Sequence, residues 1–291
     1  MKVYRFLLPY LPYTKRCKEF PKSHKKKELS TEFLYLLFSY IPKEEEALLN
    51  LYCTKIQINS DIGFSMKNEL RNKYFSRPRQ NRYLIATLND KKRAKRLYNA
   101  NIRLAQSIHP ILTQFEVVLR NSLNIQLSSY FIDNDWIINQ KNGFMKNPSL
   151  AHSRYFIKNS IIKTERKLNR RGIPVTSGKI ISDQTFGFWI ALFLSHHYAL
   201  IGGQPIQIFA HKPTSEDRAS IYSKLDDVRK FRNRVNHCEP LCFNDNKIDC
   251  SEILEIRSKL YDLISWIEPE LIPFFENIDS VQNKVDNTLR I

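Results

Sequence analysis

Ile111, Leu112, Phe115, Val118, Leu119, Leu123 and Leu127 recur at intervals of three and four residues. That period lines all seven side chains along one face of an α-helix, and the run is far longer than an ordinary strand. The same spacing returns along most of the chain, whereas no stretch alternates apolar and polar residues between hairpin turns. The expectation is an all-α fold, a helical bundle in which each amphipathic helix buries its stripe against others.

The punctuation of the sequence sets the expected helix ends. Asp90 is placed to N-cap "KKRAKRLYNANIRLAQSIH". Pro110 is expected at the start of the next helix, where its missing N–H costs nothing. Helix is expected from Tyr155 to Leu168, closed by "NRRGIP". Ser182 or Asp183 is expected to cap "QTFGFWIALFLSHHY", a helix apolar nearly all round and therefore central. Within it Gly187 is expected to permit close helix approach, with His196 and His197 as polar groups at its end. Thr214 and Ser215 precede a long helix, and a last strong helix is expected from about Ser251 to Ile267.

Residues 1–65 differ from the rest. They read as a basic, proline-broken N-terminal extension with little helical period, and Met66 is an alternative start. Residues 66–279 read as the helical domain and 280–291 as a C-terminal tail. The longest apolar runs, "FLLPYLPY" and "FLYLLFSYI", fall well short of the ~20 residues that span a bilayer. The second follows a basic stretch but precedes no small-residue cleavage site, so a short buried helix is expected there rather than a leader.

Charge narrows the partners. The 291 residues carry 46 Lys and Arg against 29 Asp and Glu, a formal net charge of +17. Such a surplus attracts polyanions, nucleic acid most commonly, with anionic lipid as the rival. Five cysteines, Cys17, Cys53, Cys238, Cys242 and Cys250, form no disulfide framework and suit a reducing cytosol. Their spacing with His237 fits no zinc pattern, so neither a metal nor another cofactor is expected.

One stretch stands out: "FRNRVNHCEP", Phe231 to Pro240. Ile221, Leu225, Val228 and Val235 form a helical stripe, and Arg232, four residues after Val228, falls within it. Asn233 and His237 are four apart and stack on a neighbouring face. Pro240 disfavours helix at Glu239, so His237 is expected in the last turn, where the helix dipole favours a protonated imidazole. A guanidinium beside an imidazole suits cleavage of an RNA phosphodiester. Histidine titrates near neutrality and can take the 2′-OH proton or protonate the leaving 5′ oxygen. A forked guanidinium complements the charge gathered on the non-bridging oxygens. The two proton transfers occur on opposite sides of phosphorus, and one histidine per chain serves both only if a two-fold homodimer brings two copies into one cleft.

Arg232 and His237 are therefore the candidate catalytic pair, with Asn233 and Asn236 as supporting polar groups. Arg229 and Arg234 flank them as candidate phosphate contacts. Arg120 and Asn121 are candidates of the same kind from "FEVVLRN", unless Glu116 and Arg120, four apart, simply pair on the helix surface. Arg and His separated by four residues arise by chance about half a time in a chain of this composition, so the spacing alone does not decide.

The wider sequence adds to it. "RNRVNHCEP" resembles the R-N-x-x-x-H signature of the HEPN superfamily, and more closely the corresponding run of the Abi-like, or abortive-infection, family. "FSRPRQNRYL", "LYNANIRLAQSIHPILTQFEVVLRNSLNIQL", "FGFWIALF" and "YDLISWIEPEL" follow that family in order, over about residues 74–272. The resemblance implies a HEPN-type helical bundle in a cytoplasmic bacterial protein of phage defence or a toxin–antitoxin system. It also implies metal-independent RNase activity carried by Arg232 and His237, and an antitoxin or nucleotidyltransferase as a candidate partner. Two positions depart from the pattern: Asn236 stands for a small residue and Cys238 for a second histidine. The alternatives are a non-catalytic RNA-binding or regulatory protein on the same fold, and a dimeric protein-interaction module.

Overall fold

Asp90 behaves as its position predicts. In a computed structural model, its carboxylate accepts the N–H groups of Lys92 at 2.8 Å and Arg93 at 3.0 Å, satisfying two orphan donors of a helix start. The structure describes Leu70 and residues 73–291. The expectations for residues 1–65, including the short apolar helix and the start at Met66, lie outside them. Helix α1 covers Arg77–Ala86 and α2 covers Lys91–Phe131.

Helix α2 is the spine. Its 41 residues extend about 60 Å. Pro110 does not open a new helix but sits inside this one. A proline there removes a hydrogen bond and crowds the preceding turn, at about 3 kcal/mol. The helix continues because Leu104, Ile108, Ile111, Leu112 and Phe115 on both sides of it are all buried, and a break would expose them.

Short elements follow: α3 (Trp136–Asn139), two 3₁₀ turns (Phe144–Lys146 and Pro148–Ser153), α4 (Phe156–Arg170) and α5 (Ser177–Asp183). After them come α6 (Phe186–Ala191), α7 (Ser195–Leu200) and a 3₁₀ turn at Gln204–Ile208. The single helix expected from Gln184 to Tyr198 is thus split into α6 and α7, and Ser182 and Asp183 close α5 instead of capping it. The split falls at Leu194, whose backbone is extended, where His197 Nδ1 and Arg218 Nη1 bond the Ala191 and Phe193 carbonyls, each at 2.8 Å. The late start has another cause, since α4 takes the side chains at the α5–α6 junction. Thr164 Oγ1 donates to Asp183 at 2.9 Å, and Lys167 pairs with the same carboxylate. Ser160 donates to Gln184 at 2.6 Å, and Gln184 is held extended. The segment is nonetheless central, with Phe186, Phe188, Trp189, Leu192 and Phe193 buried.

Helix α8 (Arg218–Asn236) follows Thr214 and Ser215 as expected, and Asp217 caps it through a reciprocal capping box with Ser220. A short hairpin follows, β1 (Phe243–Asn244) against β2 (Lys247–Ile248), the one pair of strands among the described residues. Then come α9 (Ser251–Ile267), a 3₁₀ turn at Pro269–Leu271, α10 (Ile272–Ile278) and α11 (Val281–Leu289). Helices α1, α8, α9 and α11 all pack along α2. The expected C-terminal tail is therefore a docked helix: Val281 and Val285 are fully buried, and Arg93 Nε donates to the Ile291 carbonyl at 2.8 Å. No helix among the described residues is long and apolar enough to cross a membrane.

Candidate active site

The buried face of α8 is Ile221, Leu225, Val228, Phe231 and Val235. Phe231 takes the place in the stripe that the spacing assigned to Arg232. Arg232 lies at the flank of that stripe with 27% of its side chain exposed, and its Nη2 reaches Glu116 Oε2 on α2 at 2.9 Å. Glu116 therefore pairs between helices rather than along its own helix with Arg120. A guanidinium has five N–H donors, so one ion pair orients Arg232 and leaves other edges for a ligand.

Arg120 is left without that partner. It is half-buried one turn along α2, its Nε is shielded from solvent, and it makes no hydrogen bond or ion pair with any described residue. A partly desolvated cation without a counter-charge is unfavourable, so Arg120 stays a candidate contact for an anion. Asn121 follows it and is exposed.

The end of α8 fixes His237. The Glu239 N–H donates to the Arg234 carbonyl at 2.9 Å and the Cys238 N–H to the Val235 carbonyl at 3.0 Å. These two bonds make a Schellman motif, with His237 as C-cap, Cys238 in the left-handed region at φ 55° and Pro240 just beyond. Glycine is usual at the position Cys238 holds. His237 is thus at the carbonyl end of the helix. Its imidazole is exposed and makes no hydrogen bond within the described residues. The side-chain amides of Asn233, half-buried, and Asn236, exposed, are likewise unbonded there.

The neighbouring arginines are committed differently. Arg229 donates to Asp226 from Nε at 2.8 Å and pairs from Nη2 at 2.6 Å. Burial raises the Asp226 pKa, but bonds from Lys230 and Arg229 outweigh it and hold the carboxyl below its ordinary range. Arg234 pairs with Glu252 and with Glu239 at 3.3 Å, and donates to the Pro240 carbonyl at 2.8 Å. A phosphate would have to displace these partners or share these guanidiniums with them, as it would at Arg232 with Glu116, which leaves Arg120 as the one of the four arginines without an ion pair among the described residues. Gly187 lies beside Arg229, but a Cβ there would meet Arg229 Cδ at 3.9 Å, an ordinary contact, so close approach does not require glycine.

The loop after His237 is anchored to the spine. Leu241 N–H donates to Asn101 Oδ1 at 2.6 Å, both residues being buried. Phe243 then packs edge-on against Tyr83 of α1, with Arg82 over its ring at 5.7 Å. Reading the motif by itself missed Glu116 as the partner of Arg232 and Asn101 as this anchor. Asn101 had a signal: an amide in the otherwise apolar line Leu97, Leu104, Ile108. Glu116 had none, because its partner is 116 residues away in sequence.

Elsewhere, no cluster of three or more His, Cys, Asp or Glu among the described residues could hold a metal ion. A recess lined by Asn142, Phe144, Lys146, Pro148 and Leu200 shares no residue with this site. Comparison with protein-family models, with curated proteins and with solved structures finds no match for the chain.

Proposed function

We propose that this protein is a metal-independent endoribonuclease of the HEPN type, acting as a toxin or defence effector in phage defence, abortive infection or a toxin–antitoxin system. The observation that carries the reading is the exposed imidazole of His237 at the α8 C-cap, five residues from the half-buried Arg232 on the same helix end. The resemblance of the motif and its companion segments to the Abi-like family supports the same reading, and the net charge of +17 suits an RNA substrate.

In this mechanism His237 removes the proton of a ribose 2′-OH. The 2′ oxygen attacks the adjacent phosphorus, and the P–O5′ bond breaks. The leaving 5′ oxygen is protonated by the His237 of a second copy in a homodimer. The products are a 2′,3′-cyclic phosphate and a 5′-OH. Arg232, oriented by Glu116, faces the non-bridging oxygens, and Arg120 with Asn121 holds a neighbouring phosphate. Asn233 and Asn236 supply polar contacts beside the imidazole. An antitoxin or nucleotidyltransferase would be the controlling partner.

A second reading, RNA binding without cleavage, is favoured by the partner that already neutralises Arg232. One assay separates the two: turnover of labelled RNA in EDTA. Wild type is expected to cleave, while His237→Ala binds RNA but does not cleave. Arg232→Ala is expected to lose cleavage and some affinity, and Arg232→Lys to restore little, because an ammonium lacks the fork. Wild-type cleavage rates in His237→Ala overturn the nuclease. A mixed dimer of wild-type and His237→Ala subunits that keeps half the activity overturns the shared cleft. Growth arrest on induction that does not depend on His237 overturns the toxin reading.

A further inference from the structure

The charge of the described residues is distributed unevenly. Between Lys73 and Arg96 the chain has nine basic residues and one acid, Asp90. This segment is the end of the run before α1, α1 itself, the turn, and the first turns of α2. Asp90 is no counter-charge to spare, since its carboxylate caps α2 through Lys92 and Arg93, and those backbone bonds hold its pKa low.

Around the candidate site most cations are matched. On α8 and α9, Arg229, Lys230, Arg232, Arg234, Arg257 and Lys259 each pair with a carboxylate. By contrast Arg77, Arg82, Lys91, Lys92 and Arg96 are exposed and close no ion pair among the described residues.

Three of them, Arg77, Lys91 and Lys92, also work against the helices that carry them. Neither α1 nor α2 has an acidic residue in its first turn, and Lys91, Lys92 and Arg93 occupy the first turn of α2. A helix N-terminus carries a partial positive charge, so each cation there is unfavourable by about 0.3–1 kcal/mol. Helix α4 is the contrast: its exposed Arg166, Lys167 and Arg170 lie toward its C-terminal end, where the dipole favours them. A cluster that the fold does not use and that local electrostatics oppose calls for an external anion.

The place of the cluster says which anion. Arg82 stacks over Phe243, the first residue of the hairpin, six positions after His237 and two after the anchored Leu241. The exposed basic surface of α1 thus adjoins the loop that leaves the candidate active site. We infer that the exposed cations of the α1–α2 hairpin form a second binding surface for the RNA backbone, which holds the strand beyond the cleaved phosphate. The inference rests on RNA being the substrate proposed above. It names where the strand's affinity comes from: sequence-independent phosphate contacts, remote from the chemistry.

The test measures binding, not cleavage, in the full chain carrying His237→Ala so that the probe survives. The probe is a fluorescein-labelled single-stranded RNA of mixed sequence, and anisotropy gives Kd across a salt series. The variant is Arg77→Gln, Lys91→Gln, Lys92→Gln and Arg96→Gln together. Its Kd is expected to rise at least tenfold near 0.1 M salt. The slope of log K against log salt is expected to fall by about 2–3, as each neutralised phosphate contributes ~0.7 on a single strand. Its melting temperature is expected to hold or rise, because cations leave the positive end of a helix. A control variant, Lys163→Gln, Arg166→Gln and Arg170→Gln on α4, is expected to keep the parent Kd and slope. The inference is overturned if the α1–α2 variant keeps the parent Kd and slope, if the α4 control loses as much, or if the parent binds no RNA. It is also overturned if the α1–α2 substitutions alter only partition onto phosphatidylcholine vesicles containing phosphatidylserine. RNA that binds with the expected slopes but is never cleaved by wild type leaves this surface standing and removes the nuclease.

Discussion

Cys238 offers the cleanest perturbation near the candidate site, because its backbone is in a conformation its side chain opposes. At φ 55° it closes the Schellman motif that ends α8. An L-residue in the left-handed region is unfavourable by about 1–2 kcal/mol, whereas glycine adopts it freely. Glycine also gains freedom in the unfolded chain, which offsets about 0.5–1 kcal/mol of that relief. The side chain is exposed and its thiol makes only a 4.0 Å contact to the Asn236 carbonyl, so little packing is lost. Cys238→Gly is therefore expected to stabilise the protein by about 0.5–1 kcal/mol. For a domain of this size that raises the melting temperature by roughly 1–4 °C. Cys238→Ala keeps the unfavourable φ and is expected to change stability little. Thermal and urea unfolding of the three proteins at neutral pH decide it. A Cys238→Gly protein less stable than wild type, or a Cys238→Ala protein stabilised equally, refutes the strain argument. Because the two Schellman bonds survive in glycine, RNA cleavage by His237 is expected to persist in Cys238→Gly.

Glu116→Gln removes the carboxylate that pairs with Arg232 among the described residues; RNA affinity measured by anisotropy should rise several-fold, while stability falls by about 1 kcal/mol. Burial is the largest cause that depresses the His197 pKa to about 4, with His196 and His152 adding to it, although the bond to the Ala191 carbonyl raises it. Its neutral form is the one that folds, so its contribution to stability is present above about pH 6.5 and is lost as pH falls toward 4. Urea unfolding across that window should show a steeper decline in wild type than in His197→Asn. Deleting residues 280–291 uncovers the site of Val281 and Val285, both fully buried, and should cost about 3 kcal/mol or more, a drop of roughly 6–12 °C by calorimetry.

Much of the helical architecture is legible in the sequence, because the signals that set it are local. The stripe from Ile111 to Leu127 has a period that only a helix can bury on one face, and Asp90 sits where a carboxylate can reach two backbone donors. The end of α8 is equally local: Pro240 and the stripe before it place His237 in the last turn, and the Schellman bonds span only three and five residues. The sequence by itself therefore determined the all-helical class, most helix positions, and the nearness of Arg232, Asn233 and His237 on one helix end. The tertiary structure decided what locality cannot reach. Burial on both sides of Pro110 carries α2 through a residue that should end it. Thr164 and Ser160 of α4 capture Asp183 and Gln184 and delay the start of α6, while Arg218 of α8 takes the Phe193 carbonyl where the continuous apolar pattern breaks into α6 and α7. Docking against α2 makes a helix of the last residues, where a C-terminal tail is expected from the sequence. Above all, Glu116 has an equally good partner four residues along its own helix and another on α8. Helix packing brings Arg232 to 2.9 Å and leaves Arg120 unpaired, because an ion pair follows distance in space rather than spacing in the chain.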